Sequence, residues 1–169
     1  DILPVEAASL TRVAQLTQKT NQFNPTTHRY SEQQISAMAE SPAWDVYAVR
    51  VRDRFGDNGI VGVVIVHDGD DVSDIDTFLL SCRVISRGVE TSILSFLAER
   101  ARARQLRQVQ GWFLPTKKNA PARDCYSEHH MQALAEQDGG TLWALDLATQ
   151  DIACPPWIRL TACEGVLSR

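Results

Sequence analysis

A mixed α/β sheet with helices on both faces is the fold class this sequence predicts. Three observations carry the prediction. Between residues 44 and 80 lie three apolar, β-branched runs separated by Asp/Gly-rich turns, the pattern of a strand meander. After residue 88, helical and strand periodicities alternate. The predicted order is βααβββαβαβ, and alternating elements of this kind enclose a sheet between helical layers. The 169 residues, 44% of them hydrophobic, are enough to bury a real core.

The elements follow in order. Ile2 to Val5 reads as a short strand. Glu6 to Thr17 carries Leu10, Val13, Ala14 and Thr17 at helical spacing. Gln18 to Thr27 is a polar loop, because Pro25 and two asparagines break any period. Ser31 and Gln34 form a capping box for a second helix, whose apolar face is Ile35 and Met38. Strands are expected at Trp44–Arg52, Ile60–His67 and Val72–Leu80, with turns at 53–59 and 68–71. A helix over Gly88–Gln105 places Ile93, Leu97 and Ala101 on one face. Gln108–Leu114 is a strand, Pro121 suits a helix start, and Gly139-Gly140 turns into a last strand, Thr141–Leu147. Cys154-Pro155-Pro156-Trp157 begins an extended tail.

Composition excludes several classes. No run of about 18 apolar residues exists, so no transmembrane helix is expected. No signal peptide is visible, and a start without Met predicts a piece of a larger polypeptide or a processed chain. A net charge of −4 disfavours nucleic acid as a partner. The basic residues are nevertheless dense from Arg83 to Arg107, followed by Lys117 and Lys118. They read as a solvated helix face or as a docking patch for an acidic partner or phosphate. The cysteines, Cys82, Cys125, Cys154 and Cys163, form no metal-ligand pair, so no metal site is expected. Free thiols in a reducing cytoplasm are the expectation.

The element order resembles that of the GNAT acyltransferase fold throughout the chain. In that fold the fourth and fifth strands splay apart around an acyl-pantetheine thioester. The phosphates of its carrier meet the amino end of the following helix, where free amides favour anions. The resemblance narrows further on long strings. They are Arg12–Asn24, Arg52–Gly59 (Arg-Asp-Arg-Phe-Gly-Asp-Asn-Gly), Asp76–Val84, Thr116-Lys117-Lys118-Asn119-Ala120-Pro121 and Pro155–Arg159. Together they look like the carboxy-terminal GNAT-like domain of FkbH-like proteins, over nearly the whole chain. The resemblance implies a single domain, 1–169, that normally accompanies a HAD-type domain with its own Mg site. It implies transfer of a glyceryl unit, derived from 1,3-bisphosphoglycerate, to an acyl carrier protein for polyketide assembly. No tightly bound cofactor is implied beyond the carrier's phosphopantetheine arm.

Site expectations come from the residues and from that likeness. Cys82 ends an apolar strand beside Arg83 and a helix amino end, the surroundings of a nucleophilic thiolate. A buried small hydrophobe is the alternative. Asp76 is expected either as a base aimed into the cleft or as a buried, paired carboxylate. His129, three residues after Tyr126, matches a Tyr-x-x-His pattern and is expected as a base or as a helix-end contact. His28 is assigned a phosphate or surface contact at best. Thr20, Asn21 and Asn24 in the polar loop are expected either to bind substrate or to form a self-capping turn network, and Thr116, Asn119 and Tyr126 to bind substrate. Arg83, Arg87 and Gly88 are expected to meet the pantetheine phosphate. Arg100 and Arg104, with Arg107, are expected as an exposed face for the carrier. Glu90 stands where a Gly-x-Gly pyrophosphate loop needs glycine, which argues against CoA. The alternatives are a non-catalytic carrier-docking module and an acetyl-CoA-dependent N-acetyltransferase.

Overall fold

The computed structural model describes residues 1–162. Seven strands form one sheet in the order β1-β2-β3-β4-β5-β7-β6. They are β1 (Ile2–Pro4), β2 (Trp44–Asp53), β3 (Gly56–Asp68), β4 (Val72–Leu80), β5 (Gln108–Phe113), β6 (Gln132–Gln137) and β7 (Gly140–Asp146). Every pairing is antiparallel except β4 with β5.

Helices α1 (Ala7–Lys19) and α2 (Glu32–Glu40) cover one face of the meander. Their apolar side chains, among them Val13, Leu16 and Ile35, pack with Val46, Ala48, Val63, Ile65 and Leu79. The expected capping box starts α2: Gln34 N donates to Ser31 Oγ, and Ser31 N donates to Gln34 Oε1. Helix α3 (Val89–Ala103) and the one-turn α4 (Cys125–Glu128) take the other face. Ile93, Phe96 and Leu97 pack there with Tyr47, Val64, Phe78 and Leu80.

Two local features shape the centre. Ile65 pairs with Thr77 and Val66 with Ile75, which leaves Asp76 as an extra residue in β4. The bulge turns Asp76 and Thr77 toward one another, and Thr77 Oγ1 donates to Asp76 at 2.8 Å. The parallel pairing of β4 with β5 then stops at Ile75 and Gly111. Beyond it the two strands run on unpaired to each other, which opens a wedge at their carboxyl ends.

Three sequence expectations are corrected. Residues 132–137 form a strand that sequence periodicity does not reveal, because all six are exposed at the sheet edge. The helix expected from Pro121 is a 3-10 turn at Ala120–Ala122 followed by α4. The hairpin between β2 and β3 is tight, so the broad 53–59 turn is mostly strand.

Candidate active site

The chain fills its own wedge. Leu80 N donates to Phe23 O at 3.0 Å, and Leu114 N donates to Pro25 O at 2.9 Å. Phe23 thus bridges to β4 while Pro25 reaches the end of β5. Thr26 Oγ1 donates to the Asp76 carbonyl at 2.8 Å. Asn119 Nδ2 donates to Asn24 O, Pro25 O and Leu114 O. Asn24 and Asn119 are fully buried, so they act here as latches between two loops. Thr20 gives its carbonyl to Asn24 and Arg29.

A cleft of about 570 Å³ lies on the α1/α2 side of the sheet, past the edge of those helices. Its lining includes Trp44, Asp74, Asp76, Trp112 and Asp138. His28 enters it from the loop before α2, with Nδ1 3.1 Å from Asp76 Oδ1. Tyr30 Oη donates to the same carboxylate at 2.8 and 3.0 Å. The hydrogen bond to Asp76 raises the His28 pKa above its ordinary value, against the effect of burial. Burial pushes Asp76 upward, but bonds from His28, Thr77 and Tyr30 outweigh it and hold the carboxyl low. Asp74 is raised, chiefly by burial. Asp76 is therefore a partly buried, paired carboxylate that holds an imidazole. His28, assigned a phosphate or surface contact at best by the sequence, lines the cleft together with His67 and is paired with Asp76. Its partner lies 48 positions away, beyond any sequence motif.

The turn from β4 to α3 holds Cys82, which is exposed, and Arg83, whose Nε is 3.5 Å from Ser81 Oγ. Arg87 points away from the wedge and donates to Asp53 Oδ2 at 2.6 Å. The amino end of α3 is the place where the resemblance drawn from the sequence puts the carrier's phosphates. Here Glu90 Oε1 accepts from Ser86 N at 3.0 Å, which brings a carboxylate to that seat. Gly88 has φ +84°, and a Cβ there would lie 3.1 Å from Pro155 and 3.4 Å from Trp157. Trp157 Nε1 donates to Arg87 O. A carboxylate and a tail packed over the glycine do not fit a pyrophosphate.

Across the wedge, Tyr126 is fully buried and its hydroxyl has no hydrogen-bond partner among the described residues. It fits because position 111 is glycine: a Cβ there would stand 2.6 Å from Tyr126 Oη. His129 Nδ1 faces the Cys125 carbonyl, and Nε2 lies 2.7 Å from Thr91 Oγ1. A ring nitrogen against a carbonyl carries the proton, so Nε2 accepts from Thr91 and the imidazole ties α4 to α3. Cys125 is a core residue, and burial pushes its thiol up. No hydrogen bond or ion pair joins Cys82, His129 and Asp76 to one another.

The expected exposed face on α3 is corrected outright. Arg100 is 1% exposed. It donates to Asp45, Asp68, Tyr47 and Ser73. Arg104, 12% exposed, pairs with the same two aspartates. Only Arg107 of the three stands in solvent. The i, i+4 spacing is right, but that stripe lies over the start of β2 and the end of β3, where Asp45 and Asp68 pair with its cations.

No protein-family model and no curated protein matches the chain. Solved structures do match it. The GNAT domain of S. lividans PAT is 15% identical over 86% of this chain and 89% of that one, with a TM-score of 0.67. The ribosomal-protein-S18-alanine N-acetyltransferase from Escherichia coli is 13% identical over 95% and 99%, at 0.64. A Mycobacterium tuberculosis protein solved in complex with CoA is 12% identical over 86% and 98%, at 0.66. No helix among the described residues is long and apolar enough to cross a membrane. The divergence of β4 from β5, the bulge at Asp76 and these likenesses together give the chain the GNAT fold.

Proposed function

We propose that this chain is an acyltransferase domain that passes a glyceryl unit, through a thioester on Cys82, to the phosphopantetheine thiol of an acyl carrier protein. The observation that carries the reading is the closed anion seat at the amino end of α3, whose capping Gly88 is six residues from an exposed thiol. That seat suits a protein-borne arm better than free CoA. The Cys82 thiol gives up its proton to solvent, and its sulfur attacks the acyl carbon of the donor. The bond from that carbon to the donor's leaving oxygen breaks. The carrier's thiolate then attacks the same carbon, and Cys82 leaves as thiolate. A HAD-type partner domain supplies the activated glyceryl unit in this scheme.

The carrier needs a docking surface other than α3. Phe55 and Trp157 are 83% and 74% exposed. They are joined through Asp53 and Arg87, with the Arg54 guanidinium over the Phe55 ring. Aromatic anchors among arginines suit an acidic helix. This patch lies at the end of the sheet where Cys82 stands.

A second reading, acylation of a cationic amine, draws on the cleft. Asp74, Asp76 and Asp138 with Trp44 and Trp112 fit an ammonium group, and His28 would take its proton. Calorimetry with acetyl-CoA separates the two. The first reading expects no micromolar binding; micromolar affinity would transfer the assignment to the amine reading.

A further inference from the structure

A second, smaller cavity of about 290 Å³ opens between the loop after α1 and the loop after β5. Asn21, Thr27, Arg29, Thr116, Lys117 and Lys118 line it. Three cations and three neutral hydrogen-bonding side chains therefore face one space, and no carboxylate lines it. This is unusual within a chain of net charge −4. The arginines of β2 and α3 each sit on an aspartate: Arg50, Arg52, Arg100, Arg102 and Arg104. No described carboxylate pairs with Arg29, Lys117 or Lys118.

The cluster is also built. Arg29 donates to Thr17 O, to Thr20 O at 2.9 Å and to Asn21 Oδ1, so backbone and amide oxygens fix its guanidinium without neutralising it. Thr116 N donates to Asn119 Oδ1 at 2.7 Å, and Lys118 N to Thr116 Oγ1 at 3.3 Å. Asn119 in turn holds the Asn24 and Pro25 carbonyls. The two loops that carry the cations are thus tied together before any ligand arrives. A positioned guanidinium flanked by ammonium groups and hydroxyls is the chemistry that recognises a phosphate group. Its place is the carboxyl end of β4 and β5, the end that also bears Cys82.

We propose that this pocket binds a phosphate group of one of the two transfer partners, the acyl donor or the accepting carrier arm, an inference that rests on the thioester-transfer reading above. The phosphate has two sources, a phosphorylated three-carbon acyl unit or the phosphodiester of the pantetheine arm. Calorimetry at low ionic strength would use 3-phosphoglycerate, glycerate, 4′-phosphopantetheine and inorganic phosphate as probes. The expected result is saturable binding of a phosphorylated probe, at least tenfold weaker for glycerate. Lys117→Gln with Lys118→Gln, both at exposed positions, should weaken it tenfold or more. Tighter binding of 3-phosphoglycerate assigns the acyl unit; tighter binding of 4′-phosphopantetheine assigns the arm. The same titration on Cys82→Ala should be unchanged. Phosphate binding there, with no glyceryl transfer by the native chain, would retain the pocket and discard the transfer reading. No saturable binding of any phosphorylated probe, or equal binding by the lysine variant, would overturn the proposal.

Discussion

Replacing Arg100 with methionine should be severe. The native guanidinium is 1% exposed and donates to Asp45 at 3.1 Å, Tyr47 at 3.0 Å, Asp68 at 2.8 and 3.0 Å, and Ser73 at 3.1 Å. Methionine fills much of the volume but leaves Asp45 and Asp68, 12% and 15% exposed, with Arg104 as the cation they share. Breaking a buried ion pair from one side costs about 3–5 kcal/mol. The remaining Arg104 contacts place this case at the lower end, at about 3 kcal/mol. Arg107→Met, at a side chain 82% exposed, should cost about 0.5 kcal/mol or less. Urea unfolding of the two variants with matched m-values measures the contrast. The loss should shrink in acid. Burial pushes Asp68 up, but Arg100, Ser73 and Arg104 hold its folded pKa below the unfolded value. Stability from that carboxylate is present above the unfolded value, about 4, and fades as pH falls through the lower folded one. An Arg100→Met variant within about 1 kcal/mol of native, or no weaker than Arg107→Met, would refute the reasoning.

Further outcomes are expected. Asp76→Asn should return the His28 pKa toward its ordinary value, seen by NMR titration of the ring; an unchanged value would remove Asp76 as its partner. Because that pKa is raised on folding, the stability His28 contributes is full below its unfolded pKa and is lost as pH rises through the folded one. Gly88→Ala should cost about 1–2 kcal/mol, from a left-handed φ and crowding against Pro155, and should speed limited proteolysis of the tail. Phe55→Ala with Trp157→Ala should slow carrier loading at least tenfold while stability changes little; unaltered loading would place docking elsewhere.

The meander and α3 were legible in the sequence because their periods report burial directly. Val61–Val66 is an uninterrupted run without a polar side chain, and all six residues are buried in the interior strand β3. Residues 132–137 lacked such a signal, since an edge strand exposed on every side needs no alternation. Arg100 shows the limit of helical spacing: it places residues on one stripe but not the neighbour against that stripe. The wedge filling was hidden for a related reason. Phe23–Thr26 is held by hydrogen bonds to Asp76, Leu80, Leu114 and Asn119, all more than 49 positions away. The pairing of His28 with Asp76 has no sequence signal, because Asp76 gains its place only through a bulge in β4.

The most direct test of the central claim is intact-protein mass spectrometry. The chain would be incubated with its HAD-type partner and a glyceryl donor, and the adduct mapped by peptide sequencing. The account predicts a glyceryl adduct on Cys82 that disappears when acyl carrier protein is added and never forms on Cys82→Ala. A Cys82→Ala chain that supports loading of the carrier at the native rate would contradict it.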